Sequence, residues 1–253
     1  LKVTFLGTGT SQGIPVIACR CKVCQSKDPR DTRLRCSILV EVDDLTMAID
    51  SGPDFRQQML RAGVQQLDAI LLTHEHKDHV AGMDDIRAFN FINRKPMDIY
   101  AEERVQLAIK REFAYVFADY RYPGIPRINL HSIENKPFLV NGVEIIPIRV
   151  YHYRLPIFGF RIKDFTYITD ASYISDQEIA KVKGSRYLVV NALRKEKHLT
   201  HFNLEEAEKL IRLISPEKAF ITHISHQFGL HAELVKELPE GVTMAYDTLS
   251  FHC

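Results

Sequence analysis

Apolar and polar positions change period several times along this chain. Residues 2–6 alternate as a half-buried strand and run into the turn Gly7-Thr8-Gly9. Ser37–Val42 and residues 46–50 read as a hairpin around Asp43-Asp44. Phe55–Ala62 has helical spacing and stops at Gly63, a residue suited to the left-handed position that ends a helix. Residues 69–72 form a short unbroken apolar run, the pattern of a fully buried strand, and lead directly to His74. Later, residues 143–150, 157–162 and 165–169 are rich in β-branched and aromatic side chains and predict strands. Residues 176–183 predict a helix and 187–190 another buried strand. Asn203 is placed to cap a helix over Leu204–Ile214, with Glu206 at the capping-box position. Residues 219–222 predict a strand, and 228–237 a helix that Pro239 stops.

Each half thus runs through strands and then helices. The periodicity supports an α/β or α+β fold and goes no further. With no internal repeat and no linker-like stretch, one domain over residues 1–253 is the expectation.

Composition narrows the function classes. At 45% hydrophobic and 26% charged, the chain can build a sizeable core and is neither disordered nor membrane-embedded in character. A formal net charge of +1 argues against a broad nucleic-acid footprint, though not against a local anion site. No apolar run reaches the ~18 residues of a transmembrane helix, so no membrane partner is expected. The first residues are too short and alternating for a signal-peptide core, although a longer N-terminus stays open because the chain does not start with Met. Of five cysteines, Cys19, Cys21 and Cys24 cluster, while Cys36 and Cys253 stand apart. Close thiols without a signal peptide point to metal binding in a reducing compartment, and hence to the cytoplasm.

The most telling run is Thr73-His74-Glu75-His76-Lys77-Asp78-His79. Residues two apart in an extended segment point the same way. His74 and His76 can therefore reach one ion, and a following turn can bring Asp78 and His79 to a second. Imidazole and carboxylate suit zinc, iron or manganese. Two such ions roughly 3.5–4 Å apart activate a shared water and clamp the oxygens of an in-line displacement. The plain alternative is an exposed loop that happens to be rich in His and acid.

His74-x-His76-x-Asp78-His79 followed by Gly82 resembles the signature of the metallo-β-lactamase superfamily, whose upstream strand ending in acid and Gly is matched by Ile49-Asp50-Ser51-Gly52. The resemblance implies a four-layer αββα sandwich and two divalent metal ions, manganese or zinc. It implies that Asp50 orients a metal-ligand His from behind, the alternative being an ordinary turn aspartate. It also implies His152 as the third His of the first ion, Asp170 as the bridging carboxylate and His223 as the last His of the second. Each follows an apolar run. Taken alone, each would more often be a surface or capped residue.

Three thiolates leave a tetrahedral zinc one ligand short. His226, in Thr222-His223-Ile224-Ser225-His226-Gln227-Phe228, is the best candidate for the fourth, which would give one structural zinc tying the N-terminal loop to the C-terminal one. Reduced loop cysteines and an idle His are the alternatives. This motif, the thiol cluster and Leu6-Gly7-Thr8-Gly9-Thr10-Ser11-Gln12-Gly13-Ile14-Pro15 together resemble the PhnP-like phosphodiesterases through nearly the whole chain. The resemblance implies a phosphodiesterase acting on a small, cyclic phosphodiester such as phosphoribosyl cyclic phosphate. It also implies that His201 sits near the scissile phosphate as a proton donor, so that Asp78 and His201 are the candidate catalytic residues. Otherwise His201 is an exposed residue just before a helix cap. A homodimer is possible.

The chain departs from that family over residues 104–127, where Phe113, Tyr115, Phe117, Tyr120 and Tyr122 could form a lid, a dimer surface or local core, the last being the commonest use of aromatics. The basic run Arg194-Lys195-Glu196-Lys197 reads as a solvated surface that could also meet a phosphate. Four rivals stand beside the phosphodiesterase, the weakest an oxygen-reducing di-iron protein, a class that usually has Glu where this chain has His76. A tRNase Z-like nuclease shares the opening motif but needs an RNA-gripping arm that is not evident here. A glyoxalase II-like thioesterase leaves the thiols unexplained. A metal-bearing accessory protein of cofactor biosynthesis would be expected to have lost hydrolytic ligands, and none is missing.

Overall fold

The computed structural model of the chain describes residues 1–119 and 123–253, so Tyr120 and Tyr122 of the aromatic segment lie outside the described residues. The first half contains β1 (Lys2–Gly7), β2 (Ser37–Val42), β3 (Leu45–Ile49), α1 (Phe55–Ala62), β4 (Ala69–Leu71), α2 (Lys77–Val80), α3 (Arg87–Asn93), β5 (Met97–Ala101), α4 (Glu103–Glu112), α5 (Ala114–Phe117) and β6 (Ile128–Ser132). The second contains β7 (Phe138–Val140), β8 (Val143–His152), β9 (Leu155–Ile162), β10 (Phe165–Ile168), β11 (Tyr173–Ile174), α6 (Asp176–Val182), β12 (Tyr187–Asn191), α7 (Leu204–Ile214), β13 (Lys218–Thr222), α8 (His231–Leu234), β14 (Val242–Met244) and β15 (Ser250–His252).

One sheet has the order β15-β1-β2-β3-β4-β5-β6, and the other β11-β8-β9-β10-β12-β13-β14 with β7 also on β8. In both, antiparallel hairpins give way to parallel strands, at β3–β4 in one and at β10–β12 in the other.

Alternation along the strands explains the layering, because successive side chains face opposite sides of a sheet. Ile38, Val40, Met47 and Ile49 of one sheet meet Phe158, Phe160, Tyr167, Val189 and Phe220 of the other in a shared central core. The intervening Leu39, Ala48 and Ile70 turn outward onto α1, α3 and α4. On the opposite flank, Ile168, Leu188, Val190, Ala219 and Ile221 turn outward onto α6 and α7. The result is a four-layer αββα sandwich.

Most of the expected elements form within a residue or two of their predicted bounds, and Asn203 makes the full capping box with Glu206. The helix expected over 228–237 does not form at that length: only His231–Leu234 winds. Gly229 sits at φ +129 and Leu230 is extended, so a helical turn can start only after them. The strand expected over 143–150 continues to His152, which places that side chain at a strand end. Within the aromatic segment, Phe113 and Phe117 pack onto the outer core of the first sheet and Tyr115 donates to Asp84, which is local packing.

A buried polar knot joins the two ends of the chain. Arg33 Nη1 donates to Thr8 Oγ1 at 2.8 Å and to the Ala245 carbonyl at 2.6 Å, and its Nη2 lies 3.2 Å from His231 Nδ1. A guanidinium only donates, so His231 must accept and therefore be neutral. Burial, helped by Arg33, pushes the His231 pKa down to about 4. A folded-state value below the ordinary His value means the unfolded chain binds more protons, so stability is lost as pH falls from about 6.5 towards 4. We expect this residue to remove about 2 kcal/mol of stability between pH 7 and pH 5. Urea midpoints at the two pH values, compared between wild type and His231→Asn, check it: equal pH-dependent losses in both proteins would refute the assignment.

Candidate metal centres

The charged and imidazole side chains collect where strands end, at one rim of the sandwich. Asp50 follows β3, His74 lies just beyond β4, His152 closes β8, Asp170 lies just beyond β10 and His223 follows β13. Asp50, Asp170 and His223 have φ of +67, +58 and +56. Left-handed backbone at non-glycine residues costs on the order of 1–2 kcal/mol each. Such strain clusters where side-chain direction matters more than local comfort. Close approach of the backbone is equally demanding. A Cβ on Gly52 would lie 2.0 Å from the Asp78 carbonyl oxygen, and one on Gly82 2.0 Å from the Gly52 carbonyl oxygen. Only glycine lets the metal-type loop press onto the end of β3.

Asp50 is fully buried and holds that loop from behind. Its Oδ1 accepts from the Thr73 N–H at 2.9 Å, and its Oδ2 is 2.7 Å from His79 Nδ1. A carboxylate only accepts, so Nδ1 carries the proton and Nε2 of His79 faces forward. That Nε2 lies 3.2 Å from both Asp78 Oδ2 and Asp170 Oδ2, yet makes no hydrogen bond. Against its burial, Asp50, Asp170 and Asp78 together hold the His79 pKa well above the ordinary His value. Asp170 also stands with Oδ1 3.0 Å from His223 Nε2 and 3.6 Å from His201 Nδ1. Burial opposes its ionisation, but His223 and His79 hold its carboxyl well below the usual range.

The ligand-type atoms of Asp78, His79, Asp170 and His223 all lie within 4.8 Å of one another, as do those of His152, Asp170 and His201. Asp170 belongs to both groups. His74 and His76 complete the rim: His74 Nε2 is 3.0 Å from His76 Nδ1, and the His76 and His152 rings are 5.2 Å apart. Burial pushes the pKa of both His74 and His76 down, which keeps them neutral and able to ligate. His152 donates Nδ1–H to the Thr200 carbonyl at 2.8 Å, leaving Nε2 free. His201 lies between His152 and His223, tilted against the first and stacked on the second, with ring centroids 4.6 and 4.7 Å away. Burial, then His223, drives its pKa down to about 3.

These residues fit divalent cations. Among the described residues, His79 Nε2, His201 Nδ1 and both ring nitrogens of His223 are buried without a hydrogen-bond partner. Such orphaned atoms are costly unless something binds them. Two carboxylates, Asp78 and Asp170, facing the same small volume favour positive charge there.

The thiol cluster also closes. Cys19, Cys21 and Cys24 place Sγ 3.3, 3.5 and 3.6 Å from His226 Nδ1. Tetrahedral zinc, with Zn–S near 2.3 Å and Zn–N near 2.0 Å, needs N–S separations of about 3.5 Å. The Cys24 N–H pulls the Cys21 thiol down to about 6, toward the thiolate form that ligates.

The structure thus brings together every residue that the sequence singled out for the two centres. It adds partners the sequence did not show: Thr73, which holds Asp50, and the Thr200 carbonyl, which holds His152. His198 also joins, its ring 5.4 Å from His201 and near-parallel to it. Thr73 stands beside the motif and could have been found from it. A backbone carbonyl 48 positions from its partner could not. The basic run is only partly free: Arg194 turns onto Gln227, and Lys195 pairs with Glu237 at 2.5 Å.

Comparison with known proteins agrees with this geometry. The beta-lactamase superfamily domain matches residues 46–224. A solved structure described as a new diphosphatase from the PhnP family superposes with a TM-score of 0.92 at 36% identity, covering 99% of this chain and 96% of that one. The chain belongs to the metallo-β-lactamase superfamily and is PhnP-like. Its fold is therefore that of a metal-dependent hydrolase. A Porphyromonas gingivalis protein named octanoyltransferase is 39% identical over 252 residues, which is 98% of this chain but 51% of that protein. A ribonuclease Z of a Nostoc species is 26% identical over 168 residues, 65% of this chain and 47% of the enzyme. The chain spans about half the length of these curated relatives. No helix among the described residues is long and apolar enough to cross a membrane.

Proposed function

We propose that this chain is a dinuclear phosphodiesterase acting on a small phosphodiester, cyclic ones such as phosphoribosyl cyclic phosphate included. In this reading Asp170 would be shared by two divalent ions, manganese or zinc. His74, His76 and His152 hold one, and Asp78, His79 and His223 the other. Cys19, Cys21, Cys24 and His226 hold a separate structural zinc. The observation that supports the reading is that Asp170 is common to two clusters of ligand-type atoms, one with Asp78, His79 and His223 and the other with His152 and His201. When bound, two ions supply Lewis acidity and an activated water.

The protein's own residues do the rest. Asp50 fixes the tautomer of His79, and the Thr200 carbonyl fixes that of His152. His201, 11% exposed at its side chain and 3.6 Å from Asp170, is placed to give an N–H hydrogen bond from its neutral ring to the ester oxygen that leaves. The similar structure described as a diphosphatase supports chemistry at phosphorus. The octanoyltransferase name belongs to a protein about twice as long, half of which this chain does not cover. A ribonuclease Z-like activity ranks second. It rests on the Nostoc relative, and a net charge of +1 opposes it. Reduced thiols at the zinc-type cluster fit a reducing compartment, and we place the protein in the cytoplasm.

The test is to purify the chain without chelator, count its metals, and assay bis-p-nitrophenyl phosphate and a cyclic ribose phosphate with manganese. Support would be about three ions per chain together with turnover. One tightly held zinc and no turnover with any metal would sink the hydrolase reading. Within that assay His201→Gln should lower kcat by on the order of 10²–10³ while leaving the metal count unchanged. A His201→Gln variant that lost an ion instead would make His201 a ligand rather than the hydrogen-bond donor.

A further inference from the structure

In the loop that carries the ligands, His74 and His76 lie against each other in the cluster, whereas Glu75 and Lys77 beside them are taken up by other partners. Both of those end on one helix. Arg104, in the first turn of α4, donates Nη1 to Glu75 Oε1. Glu112, the last residue of α4, lies 2.5 Å from Lys77 Nζ. The two ion pairs have opposite sense, so the loop fits α4 in one direction only.

Arg104 reaches further. Its Nη2 donates to the Pro156 carbonyl at 2.6 Å. Pro156 pairs with Tyr151, and His152 with Leu155, in the β8–β9 hairpin. Glu102, just before α4, accepts from Arg149 of that hairpin at 2.6 and 3.1 Å. One guanidinium therefore spans from the loop bearing His74 and His76 to the hairpin bearing His152, which come from different sheets.

We propose that α4 is a clamp that sets the spacing of the metal ligands, with Arg104 and Glu112 as its positioning residues. The proposal rests on the dinuclear reading above. Arg104 carries more of the effect than Glu112. Arg104 and Glu75 are only 33% and 23% exposed at the side chain, whereas Lys77 is 69% exposed and its pair is weakened by water. The planar guanidinium can serve two acceptors at fixed angles, which an ammonium cannot do. Glu75 Oε2 is already buried with no partner among the described residues, so loss of Arg104 would leave the carboxylate between two ligands without its guanidinium and push the loop outward.

The experiment uses the full chain, isolated from cells grown with cobalt or zinc, in wild-type, Arg104→Ala, Arg104→Lys, Glu112→Lys and Lys77→Glu/Glu112→Lys forms. Metal retained against a graded chelator gives affinity. The visible bands of cobalt report ligand geometry at the histidine site, and cobalt–thiolate absorption reports the cysteine site separately. Arg104→Ala should weaken metal retention at the histidine site by on the order of 10–100-fold and alter its bands, leaving the thiolate signal in place. Arg104→Lys should recover only part of this. Glu112→Lys should show a smaller loss that the charge swap restores, a rescue that general destabilisation would not produce.

Unchanged affinity and bands in a folded Arg104→Ala protein would overturn the clamp. If that variant fails to fold, the absence of rescue in the charge swap overturns it instead. A wild-type protein holding metal at the thiolates alone would overturn the dinuclear reading and the clamp with it, a result distinct from the variant series.

Discussion

Asp170→Asn is expected to reduce phosphodiester turnover by on the order of 10³ or more and to empty at least one of the two histidine-site positions. The substitution keeps the shape of the side chain and removes its charge. Asp170 is where the two groups of ligands meet: one oxygen faces His79 Nε2 at 3.2 Å, and the other faces His223 Nε2 at 3.0 Å and His201 at 3.6 Å. An amide offers one weaker acceptor and turns two N–H donors onto nitrogens that must themselves stay free to ligate. Both positions of the histidine site would therefore lose a ligand through one change. Elemental analysis beside a bis-p-nitrophenyl phosphate assay checks it, with the thiolate-bound ion as an internal standard that should persist. An Asp170→Asn protein that kept all its metal and worked within tenfold of wild type would remove Asp170 from the bridging role.

The second large effect is expected in stability. Cys21→Ser should release the thiolate-bound ion and lower the melting temperature by about 10 °C, taking ~3–5 kcal/mol of lost stabilisation and a domain of this size. The cysteines sit in the long loop between β1 and β2, which has no strand of its own, and the cluster joins that loop to His226. His226 is three residues beyond His223, so the thiolate centre also braces the segment that carries the last histidine ligand. Turnover should therefore fall as well, though less than in Asp170→Asn. Thermal melts with metal counts on the same samples decide it. A Cys21→Ser protein that melted within a degree or so of wild type and kept its full metal complement would show that the cysteines do not hold a structural ion.

The legible and illegible parts of this protein divide by range along the chain. The capping box at Asn203 and Glu206 was readable because both partners lie within four residues, and the geometry observed is the one expected. The run from Thr73 to His79 was readable because its ligands are adjacent in sequence. The helix over 228–237 was misjudged because apolar spacing outweighed Gly229, whose backbone at φ +129 delays winding until His231. Between residues 87 and 142 the sequence singles out only the aromatics of 104–127. Helices α3 and α4 of that stretch owe their place to packing on the outer face of the first sheet, through Phe89, Val105 and Ile109. That surface exists only once β3, β4 and β5 have paired.

By itself the sequence determined the ligand types, their order and the strand ends that present them, since local patterning specifies which side chains leave a strand together. Tertiary structure alone decided which residues meet. Asp170 between His79 and His223, His226 against three thiols, His152 on the Thr200 carbonyl and Arg104 between two sheets are all contacts across long sequence separations. The physical reason is that such contacts follow from the stacking of the two sheets and their shared core, and no local propensity encodes that stacking.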